Sequence, residues 1–176
     1  SYNQFFKTGL RQIFKEKNPI RILTQQDEAT KEFNLECELY LGGKDGSKIY
    51  YGKPMIYDDN YTHFMYPNEA RLRNFTYSSQ MTLDINITYE ITKTDDEDSP
   101  SQTINKTITN INIGKIPIML NSCLCSLKHS SLNPTMHDEC GFDTGGYFII
   151  NGSEKTVIGQ ERAAENQVYC FNTKKS

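Results

Sequence analysis

Several groups of side chains in this 176-residue chain are of types that do chemistry. Cys123, Cys125, His137 and Cys140 offer three thiolates and an imidazole, the donors of a tetrahedral zinc centre. Their spacing argues against it. Cys-x-Cys is a poor knuckle compared with Cys-x-x-Cys, and no second close pair of cysteines exists, so buried free thiols are expected. A cysteine beside His129 or His137 would be a nucleophile on paper, but nothing in the sequence orients such a pair. Asp95, Asp96, Glu97 and Asp98 are adjacent carboxylates, as in a magnesium site. Set in "KTDDEDSPSQ", they read instead as the solvated tip of a hairpin. "GGKDGS" combines glycines with a lysine, yet no helix follows to make it a phosphate loop. The cations Arg71, Arg73, Lys155 and Arg162 remain. Singly each suits a salt bridge; together they would line a groove for phosphate.

The elements that must position these residues follow from periodicity. Phe5, Phe6, Leu10, Ile13 and Phe14 cluster at helical spacing, so Tyr2 to Lys17 is predicted helical, stopped by Asn18-Pro19 and packed on a sheet. The period then becomes two. Phe33, Leu35, Cys37, Leu39 and Leu41 alternate with polar residues as in a half-buried strand. "GGKDGS" is expected to turn the chain, and "KIYYGKPMIY" to return antiparallel. Pro67 starts a short helix that Asn74 ends. Gln80 to Thr92 alternate through Met81, Leu83, Ile85, Ile87, Tyr89 and Ile91, the longest predicted strand. The next strand runs through Ile104, Ile108, Ile111 and Ile113. The step from Ile108 to Ile111 breaks alternation and predicts a β-bulge, and Pro117 predicts a strand end. Cys125 to Asp143 reads as irregular with one helical turn.

Near the end stands "GGYFIINGSEKTVIGQERAAEN". Tyr147 to Ile150 is apolar on both faces, which predicts an interior strand. Asn151-Gly152 is a two-residue turn signal, because both residues tolerate positive φ. Glu154 to Gln160 is expected to return as the paired strand. The fold class is therefore α+β: a mostly antiparallel sheet with an N-terminal helix and one or two short helices, in one domain without internal repeats.

Composition narrows the function. Net charge is −3, whereas domains that grip nucleic acid unaided are usually basic, so any such contact is local or relies on partner surfaces. Mean hydropathy is −0.64, and no apolar run nears the ~18 residues of a membrane span, which predicts no membrane partner. No signal peptide is evident. Five cysteines, an odd number, suit a reducing compartment. On that footing the Asn-x-Ser/Thr sequons at Asn60, Asn74, Asn86, Asn105 and Asn151 are read as unmodified. The chain opens on Ser1 and reads as a fragment. Its richness in Asn, Ile, Lys and Tyr points to an AT-rich genome.

"YPNEARLRNFTYSSQMTLDI", "GKIPIMLNSCLCSL" and "ECGFDTGGYFIINGSEKTVIGQERAAEN" together resemble, in that order, the second-largest, beta-type subunit of multisubunit DNA-directed RNA polymerases. "SYNQF" and "KPMIYDDNYTHFMYPNEARLRN" also fit, so the resemblance covers essentially the whole chain. It is nearest the eukaryotic, archaeal and large-DNA-virus branch, and the composition fits a viral or protozoan source.

The resemblance implies that residues 1–176 are the first segment of the N-terminal protrusion domain, which forms part of one wall of the DNA cleft. A lobe domain is expected after residue 176, with "FNTKKS" as the exit. The parent is a nucleotidyltransferase, but this segment should hold no catalytic residue and no cofactor: magnesium is held by the largest subunit. Partners would be the other polymerase subunits, especially the largest, together with template DNA and the RNA–DNA hybrid. In the family the segment matching Gly145 to Asn166 lies beside the active-centre cleft, near the upstream part of the RNA–DNA hybrid. In bacterial relatives the part matching Ile158 to Gln160 borders the rifamycin-type inhibitor pocket. Gln160 is thereby the nearest candidate to face nucleic acid, followed by Arg162 and Lys155. Glu165 adds negative charge at the same tip. A cellular parent would work in the nucleus, a viral one in host cytoplasm or virion. Two other readings use the same residues: a free-standing α+β adaptor domain, and a small zinc enzyme built on the cysteines.

Overall fold

The computed structural model describes residues 1–26, 33–91, 102–130 and 134–172. The carboxylates Asp95 to Asp98 lie outside these residues. The helix opens the chain as α1 (Tyr2–Gln4), a π turn (Phe5–Gly9) and α2 (Leu10–Lys17), wound without interruption. Its inward stripe is Tyr2, Phe6, Leu10 and Phe14, all half-buried, while Phe5 and Ile13 stay more than 40% exposed. That stripe repeats every four residues. An α-helix of 3.6 residues per turn would rotate such a stripe away, and the wider π turn offsets the drift. Tyr2 anchors the stripe: its hydroxyl donates to the Pro117 carbonyl at 2.7 Å, and its ring meets Phe148 edge-on at 5.8 Å. Burial pushes the Tyr2 phenol up to about 12. Asn18 ends the helix and ties it to the sheet, donating to the carbonyls of Leu41 and Gly43 and accepting from the Leu41 amide.

The main sheet has five strands, β1 (Ile20–Gln26), β2 (Phe33–Leu41), β3 (Ile49–Tyr51), β6 (Ser78–Ile91) and β7 (Gln102–Pro117). β6 is its axis. β7 pairs along one edge of β6 from Ser78 to Ile91, so β2 and β3 share the other edge end to end, and β1 lies outside β2. This corrects the expected hairpin at "GGKDGS". β2 and β3 both run antiparallel to β6, so β3 continues the line of β2 instead of returning beside it. Asp84 closes the gap: its carbonyl accepts from the Gly42 amide, and its own amide donates to the Lys48 carbonyl. The loop between them swings out to α2, where a β-carbon on Gly46 would sit 2.8 Å from the Arg11 carbonyl oxygen.

The predicted bulge is present. Pairing slips between Leu83↔Ile111 and Ile85↔Ile108, with Asn110 at φ +55° and its amide on the buried Asp84 carboxylate at 3.0 Å. Register puts Ile22, Cys37, Tyr89 and Ile104 in one row across the sheet, with Ile20, Leu39, Ile87 and, at the β7 edge, Lys106 in a second row on the same face. The opposite face carries Glu36, Glu38, Thr88 and Asn105. Side-chain alternation has thus divided the sheet into a mainly apolar and a mainly polar face, with Lys106 and Leu23 as the edge-strand exceptions.

A second core lies beyond the start of β6. Ile56, Met65, Ala70, Tyr77, Ile118, Leu120, Cys125 and Ile149 are buried together. They come from β4 (Met55–Asp58), the end of its hairpin just past β5 (Tyr61–Phe64), α3 (Pro67–Leu72), Tyr77 just before β6, the chain from β7 to Cys125 at the start of α4 (Ser126–His129), and β8 (Phe148–Ile150). The irregular stretch thus holds one helical turn, α4, and a second as a 3-10 turn at Pro134–His137. The Tyr77 hydroxyl, far inside, accepts from the Ser126 amide at 2.9 Å and lies 2.6 Å from the Ser126 hydroxyl, so its polar tip is satisfied. No helix among the described residues is long and apolar enough to cross a membrane.

Candidate nucleic-acid interface

The site predicted from the sequence begins at the hairpin of β8 and β9 (Ser153–Lys155). Asn151 at φ +49° and Gly152 at φ +79° form its two-residue turn, the geometry whose twist matches paired strands. The turn is held from outside. The Gly152 amide donates to the Phe75 carbonyl, and the Thr76 hydroxyl both donates to the Asn151 side chain and accepts from its amide. Ile149 is fully buried as expected of an interior strand, and such a side chain contributes roughly 1.5–3 kcal/mol.

At the base of the hairpin stands Arg71, in the last turn of α3. Its Nε donates to Glu154 at 2.8 Å, Nη1 to Glu139 at 3.1 Å, and Nη2 to the Tyr147 hydroxyl at 2.7 Å. Tyr147 passes the chain on by donating to Asp143 at 2.5 Å. Glu139 is buried and also accepts from the Asn68 amide at the start of α3. Burial works against the charge on Arg71, but the hydrogen bond and charge of Glu139 outweigh it and keep the guanidinium protonated beyond its ordinary range. Burial, then the bond to Asp143, pushes the Tyr147 phenol up. Arg73 is occupied in the same way, by Asp58 at 2.7 Å and Glu69 at 3.3 Å.

This divides the four cations considered for a phosphate groove. Arg71 and Arg73 are committed to carboxylates within the fold. Lys155 closes β9 opposite Phe148, is exposed, and makes no ion pair among the described residues. The expected return strand to Gln160 is shorter than predicted: β9 ends at Lys155, because β8 supplies only three residues to pair with. Residues 156–172 then run exposed, without helix or strand. Gln160 and Arg162 lie on this segment. Arg162 bonds Glu165 at 2.6 Å, with both side chains about three-quarters exposed, so the acidic neighbour holds the cation at the tip. Val157, Ile158, Val168 and Phe171 on the same segment are each at least 82% exposed.

The zinc candidates do not converge. Cys125 is buried beside Tyr77, Cys140 is exposed, and His137 stacks on Tyr66. Among the described residues no three Cys, His, Asp or Glu side chains are placed to hold a metal ion. Sequence reasoning missed the network of Glu139, Asp143, Tyr147 and Glu154 around Arg71. Its members lie 68 to 83 residues from Arg71 in the cases of Glu139, Tyr147 and Glu154, and no local spacing announces them.

Residues 1–167 match the family described as RNA polymerase beta subunit. Among curated relatives, the chain is 39% identical to the DNA-directed RNA polymerase II subunit RPB2 of Eremothecium gossypii, over 97% of this chain and 14% of that protein. It is 32% identical to the DNA-directed RNA polymerase subunit Rpo2N of Methanothermobacter thermautotrophicus, over 96% of this chain and 28% of that protein. It is also 32% identical to the probable DNA-directed RNA polymerase II subunit RPB2 homolog of Invertebrate iridescent virus 3, over 97% of this chain. The chain thus spans about a seventh of the eukaryotic relative's length. A match over nearly the whole chain, at these identities, means that the chain belongs to the RNA polymerase beta-subunit family.

Proposed function

We propose that residues 1–176 form the first segment of a protrusion domain, one wall of the nucleic-acid cleft in a DNA-directed RNA polymerase. The segment is non-catalytic and is followed in the parent subunit by a lobe domain. It supports template DNA and the RNA–DNA hybrid, and it works with the other polymerase subunits, above all the largest, which carries the catalytic magnesium. A cellular parent acts in the nucleus, a viral one in host cytoplasm or virion.

The observation that carries this reading is the chain after Lys155. A hairpin fixed to the core delivers an exposed segment bearing Gln160 and Arg162, with Lys155 at its root. A few cations on extended chain suit phosphate contact without base readout, which a polymerase that accepts every template requires. The net charge of −3 leaves the broader positive field to partner subunits.

The test is Arg162→Ala in the full-length subunit within the assembled polymerase, with elongation-complex lifetime measured against salt. The salt slope should fall by about one unit, equally on every template. An unchanged slope, or a loss confined to one template sequence, would sink the assignment.

A further inference from the structure

Resting on that reading, we propose that Arg71 is a positioning residue: by bridging Glu154, Tyr147 and Glu139 it sets the direction in which the chain leaves β9 toward Gln160 and Arg162. Three donors of one guanidinium reach three separate stretches. Nε holds β9 at Glu154, the residue before the last of that strand. Nη2 holds the chain entering β8 at Tyr147, and Nη1 holds the loop at Glu139. A planar fork has this reach, and a lysine has one point of charge. The anchor itself is fixed, because Arg71 projects from α3, whose Pro67 and Ala70 are buried, and Glu139 also accepts from the Asn68 amide of that helix.

The far side of the hairpin is pinned separately at Gly152 and Asn151. With the turn held at one end and Glu154 at the other, β9 keeps its angle although it has only three residues and all are exposed. Lys155 follows Glu154 directly, so its backbone, and the start of the exposed segment, are set by the Arg71 contact. Arg71 is itself only about one-fifth exposed and fully engaged, so it does not bind phosphate.

The experiment uses the full-length subunit in the assembled polymerase. Arg71→Ala would leave Glu139 buried without its counter-charge, so the variants are Arg71→Lys, which keeps the charge and loses the fork, and Glu154→Ala, which cuts the β9 arm alone. Amide hydrogen exchange at residues 153–155, which pair with β8, should quicken in both, with β6 and β7 unchanged. Elongation-complex lifetime should shorten by roughly two- to fivefold, the effect of one partly exposed ion pair, with the salt slope kept. A retained slope separates positioning from phosphate contact, since Arg162→Ala lowers the slope. Unchanged exchange at 153–155 in both variants overturns the proposal, as does exchange that rises equally across β6 and β7. If exchange quickens locally while lifetimes of these variants and of Arg162→Ala all stay at the unmodified value, the cleft reading fails and the proposal falls with it.

Discussion

The β-carbon position of Gly152 lies 2.6 Å from Oδ1 and 2.9 Å from Cα of Asn74. The turn of the β8–β9 hairpin is wedged against the chain leaving α3, where backbone meets backbone and no side chain fits. Gly152 also holds φ +79°, in the left-handed region.

Gly152→Ala therefore meets two penalties at once. Left-handed backbone and overpacking against the Asn74 Cα and the Arg71 carbonyl oxygen, backbone atoms that cannot swing aside, should together cost roughly 2–5 kcal/mol. Urea unfolding of the chain measures this. A midpoint equal to wild type would mean that the hairpin does not rest on Asn74.

Asp84 is buried in the main sheet, accepting from the Asn110 amide at 3.0 Å and the Tyr50 hydroxyl at 3.3 Å. Asp84→Ala leaves the bulge amide without its partner, at an expected cost of roughly 1–3 kcal/mol. Asp84→Asn keeps an accepting oxygen and should recover part of it. Thermal unfolding of both variants checks the order, and an alanine variant as stable as the asparagine one would refute it.

The Tyr2 phenol titrates at 10.0 when unfolded and is pushed up to about 12 by burial in the fold. The folded state thus holds this proton more tightly. Its contribution to stability is complete below pH 10 and is lost as pH rises from about 10 to about 12. Tyr2→Phe should lower stability by about 1 kcal/mol at pH 7, through the lost bond to Pro117, and should flatten the decline above pH 10. Parallel alkaline unfolding curves for the two proteins would contradict this.

Glu165 holds Arg162 at 2.6 Å on the exposed segment. If Arg162 meets phosphate in the polymerase, Glu165→Gln frees that cation and removes a like charge from the path of the nucleic acid. The elongation complex of this variant should outlast wild type, with the gain shrinking as salt rises. A shorter lifetime would show that the Arg162–Glu165 pair shapes the segment instead of restraining its charge.

Local signals were legible and distant ones were not. Asn151-Gly152 announces its own turn, and the alternation from Met81 to Ile91 announces β6, because both need only neighbours in the chain. The bulge was visible because Ile108 and Ile111 break a period of two. β1, "IRILTQQ", was missed: an edge strand with three apolar residues in seven has little alternation to display. The return at "GGKDGS" was misread because glycine-rich turn residues mark a change of direction without saying whether the chain comes back. Here both edges of β2 are taken, by β1 and β6, and β3 pairs with β6 residues about 30 positions away. At the candidate site, Lys155, Gln160 and Arg162 came from the family resemblance. The engagement of Arg71 and Arg73 depends on acids brought near only by folding.

The contact of Tyr2 with Pro117 and Phe148 also constrains how the protein is made. The hydroxyl bond alone spans 115 residues. At ~5–20 residues per second, a ribosome takes roughly 6–23 s to supply the partner. Phe6 can meet Tyr51 of β3 edge-on at 5.5 Å well within that interval, but the Tyr2 end of the stripe must wait for Pro117 and Phe148. The helix thus docks from its Phe14 end, where the Gly46 loop packs on it, toward its Tyr2 end.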